Sequence, residues 1–274
     1  MELLYYIGLV PSILSFLGCT YIILTVLFFK KLQSFLFRLI LYLAISNLVT
    51  SASILIPYYE LELLCKIQGF LISFGSLSSL LWTACIMYSI HNLIVKEEKI
   101  SVKFEVIVNL LIWPLTLTAA GLNLPEYTTS EGWCWITSNI MLKILSFYGP
   151  YSIILLFNLA ICIKIRIYLS GSRDSSEVLR LKRAAVKKFM FYPLILIVCY
   201  TPVILHRFFL EKVSGLFTDI LNILAIIGVT VIGFACFLLY ARTRFVRDTI
   251  YQYFSPKIQG RDISLLSADG SMKE

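Results

Sequence analysis

The chain has 274 residues, of which 59% are hydrophobic and 15% charged, and its mean hydropathy is +0.85. A water-soluble domain is nearer half apolar and a quarter charged, so this composition calls for a bilayer and argues against disorder, a cysteine-built miniprotein or a soluble nucleic-acid binder. The formal net charge of +8 then becomes a question of membrane topology.

A hydrocarbon core of roughly 30 Å takes about 20 apolar residues per helix. Seven stretches qualify in chain order: 5–29, 35–58, 66–94, 102–124, 139–167, 186–209 and 216–241. The expected fold is an all-α membrane protein, a seven-helix transmembrane bundle. Arg38, Lys66, Glu105, Lys143, Arg207 and Asp219 fall near the ends of these stretches, where long side chains reach the interface. On this reading no span contributes the paired buried charges of an ion pathway. The first span lacks the charged flank and cleavage site of a signal peptide and is expected to be retained. No internal repeat relates the first three spans to the last three, which argues against a duplicated transporter.

Taking the loops alternately, all of the 24 Lys and Arg residues except Lys66, Lys143, Arg207 and Lys212 fall on one side. The positive-inside rule makes that side cytoplasmic, with the N-terminus outside and the C-terminus inside a plasma membrane. Cys65, at the outer start of span three, and Cys134, in the loop after span four, then share an oxidising compartment and are expected to pair. That disulfide ties the loop across the top of the bundle. After span seven, Phe245, Val246, Ile250 and Tyr253 interleave with Arg242, Arg244 and Arg247, which predicts a short amphipathic eighth helix over 242–254 lying on the membrane. Residues 1–254 form one domain on this reading, and the polar stretch 255–274 is expected to be a disordered cytoplasmic tail.

Three stretches are more specific. Span three runs Cys65-Lys66-Ile67-Gln68-Gly69-Phe70 and then Leu77-Ser78-Ser79-Leu80-Leu81-Trp82-Thr83; the second outer loop carries Gly132-Trp133-Cys134-Trp135-Ile136; span six has Tyr192-Pro193 followed by Cys199-Tyr200-Thr201-Pro202. Together these resemble the cyclic-AMP-receptor-like family of G-protein-coupled receptors, with its C-x-x-Q-G-F, L-S-S-x-x-W-T and G-W-C-W-I patterns. The likeness covers roughly spans two to six. Asn47 stands where many receptors of this type carry Asp. Span seven, Gly228 to Phe234, lacks an Asn-containing motif, and span three ends Tyr88-Ser89-Ile90-His91-Asn92 rather than Asp-Arg-Tyr.

The resemblance implies a receptor that passes an extracellular signal to a heterotrimeric G protein by movement of spans five and six. The alternative from another class is a non-signalling structural or trafficking membrane protein that keeps the seven-helix fold. Candidate ligand-binding residues are Gln68, Ser79, Trp135, Lys143, Tyr148, Tyr151, His206 and Arg207. Gln68, Ile72, Gly75, Ser79 and Trp82 share one helical face, which suits either helix packing or a pocket wall. Arg207 either faces inward, where its guanidinium grips a carboxylate or phosphate, or snorkels and pairs with Glu211. Trp82, Pro193, Tyr200, Thr201 and Pro202 are candidate switch residues, because each proline deletes a backbone donor and can bend its helix. His91, Asn92, Arg180, Lys182, Arg183, Lys187 and Lys188 are candidates for the G-protein-facing surface, where a basic rim also attracts anionic lipid.

Catalysis lacks its parts: neither H-E-x-x-H, G-x-S-x-G nor a phosphate-binding loop occurs. His91 and His206 fall on opposite sides of the membrane and cannot share a metal. Span seven has no lysine for a retinal Schiff base. The expected partners are a G protein, a small extracellular ligand, anionic where Arg207 faces inward, and membrane lipids, with no cofactor and no nucleic acid polymer.

Overall fold

Inside a bilayer every backbone polar group needs an internal partner, so apolar runs of this length fold as helices. A computed structural model describes residues 2–57, 61–98, 100–129, 133–136, 140–171, 190–206 and 215–254. Six of its helices are long and apolar enough to cross a membrane, and a shorter apolar helix supplies the seventh span. The spans are α1 (Glu2–Phe28), α2 (Phe35–Ile54), α3 (Glu62–His91), α4 (Val102–Leu122), α5, α6 (Phe191–Leu205) and α7 (Leu216–Ala241). The helix α5 comes in three continuous pieces, Ile140–Lys143, a π-helical turn Ile144–Tyr148, and Gly149–Gly171. An eighth helix, α8 (Arg244–Phe254), follows α7. Between α4 and α5, strands β1 (Tyr127–Thr129) and β2 (Cys134–Ile136) pair antiparallel, with Thr128 opposite Trp135.

The seven-span expectation holds, with shifted edges. Span three begins four residues early, at Glu62. The described helix in span six, Phe191–Leu205, lies wholly within the expected 186–209. The expected tail, 255–274, lies outside the described residues.

The helices join through small and hydroxyl-bearing residues, as close approach in lipid requires. Ser46, Thr50, Ser51 and Ser53 of α2 and Ser78, Ser79 and Thr83 of α3 are buried, and each hydroxyl donates to a carbonyl three or four residues back. Their polarity is thus satisfied within each helix, leaving thin faces that pack tightly. Gly75 sits at the closest point, where an added Cβ would lie 2.7 Å from the Ser46 carbonyl oxygen. On the other side of the bundle, the Ser15 hydroxyl of α1 donates to the Thr230 carbonyl at 2.5 Å and accepts from the Phe234 amide at 3.0 Å. Thr25 and Tyr240 share a hydroxyl contact at 2.9 Å lower on the same α1–α7 seam.

Arg38 and Glu105, near the ends of their spans as the sequence places them, pair with each other: Arg38 Nε and Nη2 grip Glu105 at 2.8 and 2.6 Å, and Tyr42 donates to the same carboxylate at 3.0 Å. The physical reason is proximity across two spans, which a one-dimensional reading cannot see. The long side chains of Arg38 on α2 and Glu105 on α4 bring the two charges together, and a forked guanidinium–carboxylate pair satisfies both more completely than lipid headgroups would.

The amphipathic α8 buries Val246 and Thr249 against the bundle and exposes Arg244 and Arg247. Phe245 stacks on Phe37 with ring centroids 5.8 Å apart, and Tyr253 meets Phe29 edge-on at 5.3 Å.

Candidate ligand site under a tethered hairpin

The β1–β2 hairpin lies over one end of the bundle, and three kinds of bond hold it there. Cys65 at the start of α3 is disulfide-bonded to Cys134. Gln68, one turn on, is fully buried; its Oε1 accepts the Cys134 backbone N–H at 2.8 Å, and its Nε2 donates to the Ile56 carbonyl at 3.0 Å. Tyr127 presses on α3 at Gly69, where an added Cβ would lie 2.7 Å from the ring, and its hydroxyl donates to the Ala120 carbonyl at 3.1 Å. Burial pushes the Tyr127 hydroxyl up to about 12, because the phenolate would lose its water. The Q-G pair of span three thus has a local explanation: Gln68 caps a strand amide, and Gly69 leaves room for the hairpin's aromatic ring.

Beneath the hairpin, Ile72, Ser76, Trp133, Trp135, Phe147 and Tyr200 surround a cavity of about 10 Å³. That is on the order of one water molecule, against roughly 300 Å³ or more for an ordinary small-molecule pocket. The site is closed by aromatic side chains packed on one another. Phe147 meets Trp135 edge-on at 5.2 Å and Tyr200 at 5.7 Å, while Tyr151 meets Tyr200 at 5.3 Å. The Tyr200 hydroxyl interacts with Ser76 and Ser79, joining α6 to α3 at the floor. The Tyr151 hydroxyl is buried without a hydrogen-bond partner among the described residues.

The structure gathers some of the sequence-derived candidates and separates others. Trp135 lines the cavity, with Tyr151 behind its wall; Tyr148, Lys143 and His206 are buried at the same end. Gln68 and Ser79 lie off the wall, Gln68 clamping the hairpin and Ser79 bonded to the Ser76 carbonyl at 3.0 Å. Arg207 lies outside the described residues.

Among the switch candidates, Tyr200 is on the cavity wall, and Pro202 is the proline inside α6, whereas Pro193 falls in the first turn of the described helix. At that position a missing N–H removes no intrahelical bond. Thr201 is exposed on the outside of the bundle and donates to the Ile197 carbonyl at 2.6 Å. Trp82 is elsewhere: fully buried, it packs on Tyr42 at 4.6 Å and Trp113 at 5.6 Å, between α2 and α4. At the opposite end of α3, His91 is half-buried and Asn92 buried. Arg180, Lys182, Arg183, Lys187 and Lys188 lie outside the described residues.

Besides Trp133, which is named only within the Gly132–Ile136 motif and not as a site candidate, sequence reasoning missed Ser76, Phe147, Val203 and Val229 on the wall. Ser76 has a visible signal, being one step from the Gly75 and Ser79 face. Phe147, Val203 and Val229 are apolar residues in apolar spans and carry none.

These features define a seven-helix membrane-protein fold with a disulfide-tethered hairpin over one end. Squid rhodopsin matches the fold with a TM-score of 0.72 at 18% identity, covering 99% of this chain and 93% of that one. Residues 1–259 match the slime mold cyclic AMP receptor family, and the chain belongs to that family. Among curated relatives, cyclic AMP receptor 1 of Dictyostelium discoideum is 30% identical over 207 residues, 71% of this chain and 50% of the relative. G-protein coupled receptor 1 of Arabidopsis thaliana is 29% identical over 152 residues, 54% of this chain and 47% of the relative. The chain spans about half the length of these relatives.

Proposed function

We propose that this protein is a G-protein-coupled receptor that carries an extracellular signal to a heterotrimeric G protein through movement of α5 and α6. The observation that carries this reading is family membership across residues 1–259, on a bundle whose tethered hairpin covers an aromatic cavity. The basic bias of the loops supports placing the hairpin end outside the cell and the termini on opposite sides.

The cavity as it stands has no room for a small molecule, so an agonist has to part the Trp135–Phe147–Tyr200 contacts. Tyr200 belongs to α6, and displacing its ring moves that helix against α3 at Ser76 and Ser79. Pro202, two residues on, leaves α6 without one backbone bond and makes bending there easier. This couples ligand entry to α6 in one mechanical step. Lys143 and His206, buried at the same end, supply basic chemistry suited to an anionic ligand. The names of the Dictyostelium relatives make cyclic AMP the first compound to test.

A second reading, a structural or trafficking protein that keeps the fold without signalling, is favoured by the closed cavity. Purified receptor in nanodiscs, mixed with a panel of G-protein alpha subunits and cyclic nucleotides, separates the two. Ligand-dependent acceleration of nucleotide exchange supports the receptor; no acceleration with any subunit or ligand, in protein shown to be folded, supports the second reading.

A further inference from the structure

The seam between α5 and α6 opens into a groove of about 660 Å³, away from the aromatic cavity. Its walls include Asn158, Cys162, Ile163 and Arg166 of α5 and Leu194 and Ile197 of α6. No residue of α3 lines it, and Ile163, Arg166 and Leu194 are exposed on the outside of the bundle. The groove therefore faces hydrocarbon rather than the bundle interior.

Two groups are out of keeping with an apolar wall. Asn158 is 3% exposed, and its Oδ1 has no hydrogen-bond partner among the described residues. An amide left unpaired in hydrocarbon is costly, so a polar group has to meet it. Asn158, Cys162 and Arg166 recur at steps of four and form one stripe along α5. Helical side chains lean toward the N-terminus of their helix, which carries the Arg166 guanidinium back toward the turn of Cys162. The two Cα atoms are about 12 Å apart by helical rise, and this lean shortens the gap between their polar heads. A cation and an uncharged amide on the wall of a long apolar slot suit a phospholipid, whose phosphate and ester groups lead into an acyl chain.

We propose that this groove binds one anionic glycerophospholipid from the leaflet opposite the hairpin end. The phosphate pairs with the Arg166 guanidinium, whose fork matches two phosphate oxygens. The Asn158 carboxamide, whose two ends exchange by a half-turn, donates to an ester carbonyl. An acyl chain lies along Ile163, Leu194 and Ile197. This inference rests on the membrane-spanning bundle and stands apart from the receptor reading.

The test uses the full chain in nanodiscs holding either phosphatidylglycerol or phosphatidylcholine, with the same photoreactive group on the acyl chain. After illumination, the labelled peptides are mapped by mass spectrometry. Labelling of α5 and α6 around 158–166 and 194–197 is expected to favour phosphatidylglycerol roughly tenfold, the factor a single charge-assisted hydrogen bond supplies. Arg166→Gln, at an exposed position, is expected to bring that ratio to about one with folding intact. Asn158→Leu is expected to lower labelling by both lipids, and Ile163→Trp, which fills the slot from outside, to abolish it. Equal labelling by the two headgroups, or a preference that Arg166→Gln leaves unchanged, overturns the proposal. Displacement by excess inorganic phosphate also overturns it, by reassigning Arg166 to a soluble anion. The assay contains neither G protein nor agonist, so its failure is distinguishable from failure of the receptor reading.

Discussion

The Gln68 amide accepts the Cys134 N–H at 2.8 Å and donates to the Ile56 carbonyl at 3.0 Å, so one buried side chain joins α3, the hairpin and the end of α2. The disulfide lies beside it and makes the same attachment covalently. Gln68→Leu leaves a buried strand N–H and a backbone carbonyl without their partner, which is expected to destabilise the fold by about 1–3 kcal/mol. Cys134→Ser weakens the same attachment, so the double variant should lose less than the sum of the two singles. Thermal unfolding of the four proteins in one detergent measures both effects; strict additivity would show that the two links act independently.

The Ser15 hydroxyl stands between the Thr230 carbonyl and the Phe234 amide, a donor and acceptor four residues apart on α7. A side chain placed in a helix's own hydrogen-bond ladder loosens that turn and marks a bend. Ser15→Ala is expected to cost about 1–2 kcal/mol overall, because neither α7 group keeps its α1 partner. Amide exchange at Phe234 reads the local effect. Faster exchange confined to residues around 230–234 is the expected pattern; unchanged exchange there would mean that α7 closes its own ladder without α1.

Much of this architecture is legible in the sequence because lipid imposes length, and length is one-dimensional. The spans follow from apolar runs, the Cys65–Cys134 pair from topology, and the buried face of α3 from helical spacing. The candidate site is less legible, because its parts come from different helices. Gln68 looks like a pocket residue until the hairpin strand arrives to take its oxygen. Trp82 and Tyr200 look like one switch until the fold places Trp82 against α2 and α4. Arg38 and Glu105 are 67 positions apart, and nothing in either span announces the other. Phe147 and Val229 sit in runs of similar residues, so only the packed structure distinguishes the wall of the cavity from the face toward lipid.

The Arg38–Glu105 pair is gripped from a third direction by Tyr42, and Arg38 Nη1 donates to the Gln33 carbonyl at 2.6 Å. Arg38 keeps a third of its side chain exposed, which screens the pair. Arg38→Gln and Glu105→Gln each should destabilise by about 1–3 kcal/mol, and the double-mutant cycle should return a coupling of about 1–2 kcal/mol. A coupling near zero would show that the two charges are held by their other partners. High salt should reduce the measured coupling only modestly, because the Glu105 side chain is 8% exposed.

Tyr127 supplies a pH dependence with a definite sign. Its hydroxyl ionises at about 12 in the folded protein, against about 10 for a free tyrosine, because burial between the hairpin and α3 withholds water from the phenolate. Below pH 10 both the folded and unfolded chains hold the proton, and this group adds no pH dependence. Between about pH 10 and 12 the unfolded chain releases it while the folded chain does not, so stability falls with rising pH by about 1.4 kcal/mol per unit. Tyr127→Phe removes that titration. The wild type should therefore lose stability relative to Tyr127→Phe across this window, even though the substitution costs the bond to the Ala120 carbonyl at neutral pH. Parallel denaturation curves for the two proteins from pH 8 to 12 check it; curves that keep a constant separation would show that Tyr127 ionises as freely in the folded hairpin as in the unfolded chain.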